Sequence, residues 1–266
     1  MFPPNSEKFK IVMLGAGNVA SQLSRSLINA EHTIVQIYGR SKQSTSELAK
    51  AVNCNFTLNS EEINRDADIY IISVPDAAIG LLAKLLPKLK GIVVHTSGST
   101  PFSVFSETSD NYGVLYPFQT FSKARAISLV DVPFCIEASS GEVSKILFKL
   151  AKSLGAKPIE MDSETRQWLH LSGVFSCNFV NHMLTIAQLI AEEKGFSFDL
   201  LKPLIKETFA KALEGSPFNS QTGPAMRGDA ETIKKHIALL SDIDDDIREL
   251  YTNLSSSIWN LQNNTE

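Results

Sequence analysis

Lys10-Ile11-Val12-Met13-Leu14-Gly15-Ala16-Gly17-Asn18-Val19-Ala20 is the stretch on which the fold turns. Lys10–Leu14 is a short apolar, β-branched run of the kind that forms a buried strand. It breaks into glycines, and Val19, Leu23, Leu27 and Ile28 then recur at helical spacing. The glycines therefore sit between a strand and a helix. A glycine turn with no ligand is the plain alternative, but strand before and helix after is the context of a dinucleotide-binding fingerprint. Gly15 permits the tight turn, and Gly17 lets the backbone approach a pyrophosphate. Ala20 keeps helix and strand close. Ala16, Asn18 and Val19 complete the turn, where backbone N–H groups and the helix dipole hold phosphates.

Outward from this turn the pattern repeats. Thr33–Tyr38 reads as a second strand, followed by a helix through Leu48 and Ala49, and Val52–Leu58 as a weaker third. Asp68–Val74 and Gly91–His95 are continuous apolar runs, as expected of strands buried on both faces of a parallel sheet. A helix over Ile79–Leu89 separates them. Strand-like segments follow near Tyr112–Tyr116, Val132–Glu137 and Pro158–Met161, with a helix at Glu142–Leu154. Strands alternating with helices imply right-handed βαβ units and a doubly wound α/β sheet of the Rossmann type. From Ser163 to Lys194 there is no proline and a single glycine, and apolar residues keep helical spacing. Further helices are expected at Phe198–Leu213, Asp229–Leu240 and Asp242–Leu261. The expected organisation is a Rossmann domain over 1–161 and an all-α domain over 162–266, with a frayed tail at Asn263–Glu266.

Bulk composition narrows the function. The 266 residues carry a net charge of −4, with 43% hydrophobic and 20% charged residues, an ordinary globular balance without the basic excess of a general nucleic-acid binder. Lys84–Lys90 reads as the solvated end of a helix. The three cysteines, Cys54, Cys135 and Cys177, are far apart and form no C-x-x-C pair, so neither a disulfide framework nor a metal site is expected. Met1–Lys10 has no apolar core of signal-peptide length. No apolar run approaches the roughly 18 residues of a membrane helix. The expectation is a cytoplasmic protein that binds neither membrane nor nucleic acid.

The end of the second strand selects the cofactor. A carboxylate there would grip a free ribose 2′-hydroxyl. This chain has Tyr38-Gly39-Arg40-Ser41-Lys42 instead. Arg40 can pair bidentately with a 2′-phosphate, Ser41 adds a hydroxyl and Lys42 a further charge. NADP is thus favoured over NAD, the alternative being a basic turn facing water. Val74-Pro75, at the end of a central strand, is expected to line the cofactor with its backbone. Asp76 is read as a helix N-cap.

Thr96 and Ser97, after the Gly91–His95 strand, open on the same crevice and suit a nicotinamide ribose or a polar substrate. Ser97 as a nucleophile is disfavoured, because no G-x-S-x-G elbow surrounds it. In the helical part, His170, Val174, Cys177, Asn178 and Asn181 share one face at 3.6-residue spacing. His170 and Asn178 are candidates to hold a substrate carbonyl and supply a proton, against the alternative of a satisfied buried polar pair. In Gln221–Asp229, Asp229 reads as a helix cap, and Arg227 is open between a substrate carboxylate and a pairing with Asp229.

These blocks, GAGNVA at 15–20, VVHTSGS at 93–99, YPFQTF at 116–121, RQWLHLSGVFSCNFVNHM at 166–183 and TGPAMRGDAETIKKH at 222–236, resemble the Rossmann-like DUF2520 family along nearly the whole chain. That family is similar to pyrroline-5-carboxylate reductase, ketopantoate reductase and the β-hydroxyacid dehydrogenases. The resemblance implies an NADP-binding Rossmann domain, a helical domain that makes a homodimer, and an oxidoreductase whose substrate the family does not name. Members commonly read His-Pro where this chain has Tyr116-Pro117, and Tyr-His-Ala-Ala where it has Leu169-His170-Leu171-Ser172. Tyr116 then stands in for a proton-donating histidine, and His170 is retained. The long-helix lysine of the related dehydrogenases is not evident. The expected function is hydride transfer between NADP(H) and a small carbonyl or imine bound between the domains. The alternative is a non-catalytic dinucleotide-binding sensor or interaction module, and coenzyme F420 as co-substrate is a third reading by analogy.

Overall fold

The computed structural model describes residues 8–263. Most of the N-terminal segment read above as lacking a leader, and the last three residues of the tail read as frayed, lie outside them. The chain forms two compact units, one running to Cys177 and the other from Asn178.

The first unit is built on an eight-stranded sheet in the order β3-β2-β1-β4-β5-β6-β7-β8. Its strands are β1 (Lys10–Leu14), β2 (Thr33–Tyr38), β3 (Asn55–Thr57), β4 (Ile69–Ile72), β5 (Ile92–His95), β6 (Tyr112–Pro117), β7 (Pro133–Ala138) and β8 (Lys157–Glu160). The first four helices are α1 (Asn18–Asn29), α2 (Lys42–Ala51), α3 (Asp76–Leu85) and α4 (Gly141–Ser153). Side chains alternate across β1. Ile11 and Met13 enter one core with Leu23 and Leu27 of α1 and Leu147 and Leu150 of α4. Val12 and Leu14 enter the other with Ile79 and Leu82 of α3 and Phe105. Both faces are therefore covered, which is why these strands read as unbroken apolar runs. Each of these side chains contributes about 1.5–3 kcal/mol by burial.

Strands β1 to β6 are mutually parallel, so their carboxyl ends open on one edge. The doubly wound Rossmann sheet is as expected and mostly parallel, with one exception: β7 pairs antiparallel to β6. No helix separates Pro117 from Pro133, and an antiparallel neighbour needs no crossover helix.

Helix α5 (Ser163–Gly173) follows β8. It continues through a π-helical turn at Val174–Phe179 into α6 (Val180–Glu193). The long proline-free run is thus one helical stretch of 31 residues. An 18-residue window in it has a mean hydropathy of 1.3, enough by length and composition to cross a membrane. This corrects the expectation that no apolar run approaches that length: isolated polar residues break the run in sequence without bringing its average down. The stretch also carries Arg166, whose side chain is wholly buried among polar partners within the first unit.

The second unit continues with a 3-10 turn at Phe198–Leu201, then α7 (Lys202–Glu214), α8 (Ala230–Leu240) and α9 (Asp245–Asn263). The Gln221–Asp229 turn is shaped by Gly228, at φ +67, where a Cβ would lie 2.8 Å from the Trp259 ring. Asp229 caps α8 by accepting from the Thr232 N–H, and these bonds hold its carboxyl below the usual range. Among its described residues, only Ala191, Ala225 and Leu240 are buried apolar side chains.

Candidate active site

At the carboxyl ends of β1, β2, β4 and β5 lies a cavity of about 650 Å³. Gly15, Ala16, Gly17, Asn18, Val19, Arg40, Ser41, Val74, Pro75, Thr96 and Ser97 all line it. The two glycines of the opening motif do different work. Gly15 has φ +129, and a Cβ there would fall 2.1 Å from the Ser73 carbonyl oxygen. Its N–H donates to the Tyr38 carbonyl, so it ties β1 to β2. Gly17 is the N-cap of α1, and nothing lies within 4 Å of where its Cβ would be. No side chain caps α1 and no acid stands in its first turn, so its leading N–H groups face open space. This is what a pyrophosphate requires.

The β2 end presents a cation and a helix N-terminus to the cavity. Ser41 caps α2, again a helix with no acid in its first turn. Arg40 is exposed and makes no hydrogen bond or ion pair among the described residues. Ser44 and Thr45 join the lining, and Gly39 is required because a Cβ would sit 2.3 Å from the Thr45 hydroxyl. Lys42 is exposed at the start of α2 but is not part of the lining. Tyr38, Ser73, Ala78, Leu81, Leu82 and Leu85 line the cavity without having been singled out. The α3 leucines follow helical spacing and read from sequence as ordinary core.

Beyond β4 and β5 the turn 96–100 is braced internally. Ser97 is buried, and its hydroxyl oxygen accepts from the N–H groups of Ser99 and Thr100 at 3.1 and 3.0 Å. Ser97 thus braces the loop. Thr96 shares a 3.0 Å hydrogen bond with Ser73. Asp76 is not the N-cap of α3. Pro75 occupies that position, and the Asp76 carboxylate accepts instead from the Ser99 hydroxyl. A local capping rule lost here to a tertiary partner 23 residues away. His95, at the end of β5, is fully buried and accepts from the Ser97 N–H at 3.2 Å. Burial, then the nearby Arg166 charge, lowers its pKa to about 4, so it is neutral at pH 7.

Helix α5 lies on this turn. A Cβ on Gly98 would fall 2.6 Å from His170 Cγ, and one on Gly173 would fall 2.8 Å from the Phe118 ring. The glycines of two separated sequence blocks are thus what lets strand ends and helix meet. Arg166 anchors the approach. Nη1 donates to Glu137 at 2.7 Å, and Nη2 donates to the Thr100 carbonyl at 2.6 Å and to Ser163 at 3.1 Å. From Arg166 to His170 the helix rises about 6 Å, matching the two-residue step along β6 that leads to Tyr116. There the Tyr116 hydroxyl and His170 Nδ1 lie 2.9 Å apart. Burial foremost pushes the Tyr116 phenol up to about 12, so it stays protonated.

Two candidates are therefore together and one is not. Asn178 is exposed, belongs to the second unit, and follows the start of the π turn. That turn, closed by i→i+5 bonds, breaks the 3.6-residue repeat on which a common face with His170 was based. Arg166, Glu137 and Asp76 were missed as site-builders because their partners lie far away in sequence.

Comparison with known proteins supplies the family. A family model described as NADP oxidoreductase coenzyme F420-dependent matches residues 10–96, and one described as Domain of unknown function (DUF2520) matches 132–258. A solved Bacteroides fragilis protein, provisionally named an NADP oxidoreductase, is 39% identical over 96% of this chain and 99% of its own, with a TM-score of 0.89. The chain belongs to the DUF2520 NADP-oxidoreductase family. More distant structures share the fold of this DUF2520 protein. A 1-pyrroline-5-carboxylate reductase from Streptococcus pyogenes has a TM-score of 0.64 at 14% identity, covering 94% of this chain and 99% of that one. An imine reductase from Myxococcus stipitatus, in complex with NADP+, has 0.65 at 13%, covering 94% and 91%. No curated protein matches the sequence.

Proposed function

We propose that this DUF2520 protein binds NADP(H) in the cavity over β1, β2, β4 and β5 and transfers a hydride to or from a small carbonyl or imine substrate. One observation carries the reading: a single cavity joins the open Gly17 turn to Arg40 and Ser41 at one end and to Thr96 and Ser97 at the other. The first end suits phosphates, and the second lies beside the Tyr116–His170 pair through Gly98. The α1 N-terminus and Gly17 hold the pyrophosphate, while Arg40 and the Ser41 and Ser44 hydroxyls receive the 2′-phosphate. The nicotinamide supplies or accepts the hydride. In its protonated form His170 donates from both ring nitrogens. Nδ1–H donates to the Tyr116 oxygen, which fixes the ring, and Nε2–H donates to the substrate oxygen or nitrogen. Passing that proton leaves a neutral imidazole, and the oxidative direction reverses it.

The protein is assigned to a reducing compartment, the cytoplasm, in keeping with its three unpaired cysteines. A homodimer formed by the helical unit accounts for that unit's near lack of a core. Leu200, Leu204 and Leu213 stand exposed at 66–83%, and so few buried side chains do not offset the entropy of ordering its helices. A second copy is also the better cover for the apolar long helix than lipid, because its first turns are committed to polar contacts with the sheet loops.

The test is NADPH consumption across a panel of ketones, keto acids and imines. His170→Ala is expected to lower kcat by about 10²–10⁴-fold while NADPH affinity holds. Full activity in His170→Ala refutes the assigned role. Tight NADP(H) binding with no turnover across the panel leaves a dinucleotide-binding module in place of an enzyme.

A further inference from the structure

The charged lining of the cavity is sparse and polarised. Among the described residues, Arg40 and Asp76 are its only charged ones. Arg40 follows β2, Asp76 follows β4, and Thr96 and Ser97 follow β5, in a sheet ordered β2-β1-β4-β5. At about 4.8 Å per strand, Asp76 stands two strands, on the order of 10 Å, from Arg40. A dinucleotide with its phosphorylated ribose at Arg40 and its pyrophosphate at Gly17 brings its reacting end to Asp76.

The carboxylate there is held and available. Ser99 Oγ–H donates to Asp76 Oδ2, and Oδ1 accepts no hydrogen bond among the described residues. Ser99 is itself fixed, since its N–H donates to Ser97 and its carbonyl accepts from Gln167 at 3.0 Å. The Asp76 charge is felt at the phenol of Tyr116, where it disfavours ionisation. The neighbouring cation does not cancel it. Arg166 is wholly buried, and its charge is already paired with Glu137 at 2.7 Å. Once His170 has passed its proton on, the part of the site built by this unit presents one negative charge that no cation of the unit pairs with.

We propose that Asp76 selects a cationic substrate: a protonated imine in the reductive direction and the corresponding ammonium in the oxidative one. The proposal rests on the NADP(H) reading above. In the reductive step His170 Nε2–H protonates the imine nitrogen and becomes a neutral imidazole. The iminium carbon then takes the hydride, the C=N π pair moves onto nitrogen, and NADPH is oxidised to NADP+. The amine leaves neutral and takes a proton from water. In the oxidative direction the bound ammonium first returns that proton to water, and the neutral amine gives the hydride. Positive charge passes from substrate to nicotinamide, so the carboxylate faces a cation before and after transfer. A substrate carboxylate at this position meets repulsion.

The experiment compares 2-methyl-1-pyrroline, cyclopentanone and pyruvate as NADPH-dependent substrates of the wild type, Asp76→Asn and Ser99→Ala. Calorimetry of pyrrolidine binding to the NADP+-loaded protein supplies a readout apart from turnover. Expected are a kcat/KM for the imine about tenfold or more above that for the ketone, and loss of that preference in Asp76→Asn. Pyrrolidine binding weakens by about tenfold in the same variant, NADPH affinity stays within about twofold, and Ser99→Ala moves both readouts the same way by less. Equal loss on imine and ketone, preference for pyruvate, or no imine turnover by a protein that binds NADPH overturns the proposal. Failure of the wild type to bind NADPH at all overturns instead the dinucleotide reading beneath it.

Discussion

Gly98→Ala puts the packing of α5 on the strand-end turn to a direct test. The new Cβ would meet His170 Cγ at 2.6 Å, Nδ1 at 2.7 Å and Cβ at 2.8 Å. Comfortable carbon contacts are about 3.5–4.0 Å, so turn and helix must part by about 0.9 Å. That movement takes the 2.9 Å Tyr116–His170 contact beyond hydrogen-bond range. Overpacking costs about 1–3 kcal/mol, and the lost hydrogen bond adds about 1 kcal/mol. The sum lowers Tm by roughly 5–15 °C for a chain of this size. Turnover, where the proposed chemistry holds, falls about 100-fold from a misplacement of this size. NADPH affinity is preserved, because Gly98 does not line the cavity. The assay is thermal and urea unfolding of wild type, Gly98→Ala, His170→Ala and the double variant. His170→Ala removes the two nearest ring contacts and leaves the Cβ contact, so relief is partial and the coupling is about 1–2 kcal/mol. Strict additivity, with Gly98→Ala melting within about 2 °C of wild type, refutes the argument.

The motif glycines should separate fold from ligand. Gly15→Ala, strained at φ +129 and driven against Ser73, costs several kcal/mol, on the order of 2–6, in urea unfolding. Gly17→Ala changes stability by no more than about 1 kcal/mol, yet its methyl fills the space reserved for the pyrophosphate and abolishes dinucleotide binding by calorimetry. Arg166→Ala leaves Glu137 and the Thr100 carbonyl without their donor, with an expected loss of about 3–5 kcal/mol in the same unfolding assay. Acid should weaken the fold before its carboxylates titrate. His95 takes its proton near pH 6.5 when unfolded but only near 4 when folded, so stability is level above about 6.5 and falls as pH drops toward 4. The loss is about 3 kcal/mol. His32, also lowered by burial, adds in the same direction. His95→Gln should flatten the denaturation midpoint across that window.

What the sequence disclosed is what depends on neighbours in the chain. The KIVML run, the glycines after it and the helical spacing beyond are local, so β1, the turn and α1 were legible, and with them Arg40 at the end of β2. The Asp229 cap was legible for the same reason. Contacts made by distant residues were not. Gly98 and His170 are 72 positions apart, and neither carries a local sign of the other. Arg166 read as one polar residue on a long helix, although its guanidinium joins β7 to the 96–100 turn. Asp76 followed a capping rule on paper and a serine hydroxyl in the structure. The π turn at Val174–Phe179 was hidden because a 3.6-residue period was assumed throughout, and that assumption put Asn178 in line with His170. The antiparallel turn of β7 was missed because apolar content reports burial of a strand and not its direction.

The central claim is that the cavity over β1, β2, β4 and β5 is an NADP(H) site. The most direct measurement is thermal unfolding of the purified protein with NADP+, NADPH, NAD+ and NADH at matched concentrations. At about 100 times Kd a ligand stabilises by about 2.7 kcal/mol, a Tm rise of roughly 5–11 °C. That rise is predicted for the phosphorylated pair, with little for NAD+ and NADH, and it is lost in Arg40→Glu. No shift with any of the four, or equal shifts with all four that survive Arg40→Glu, contradicts it.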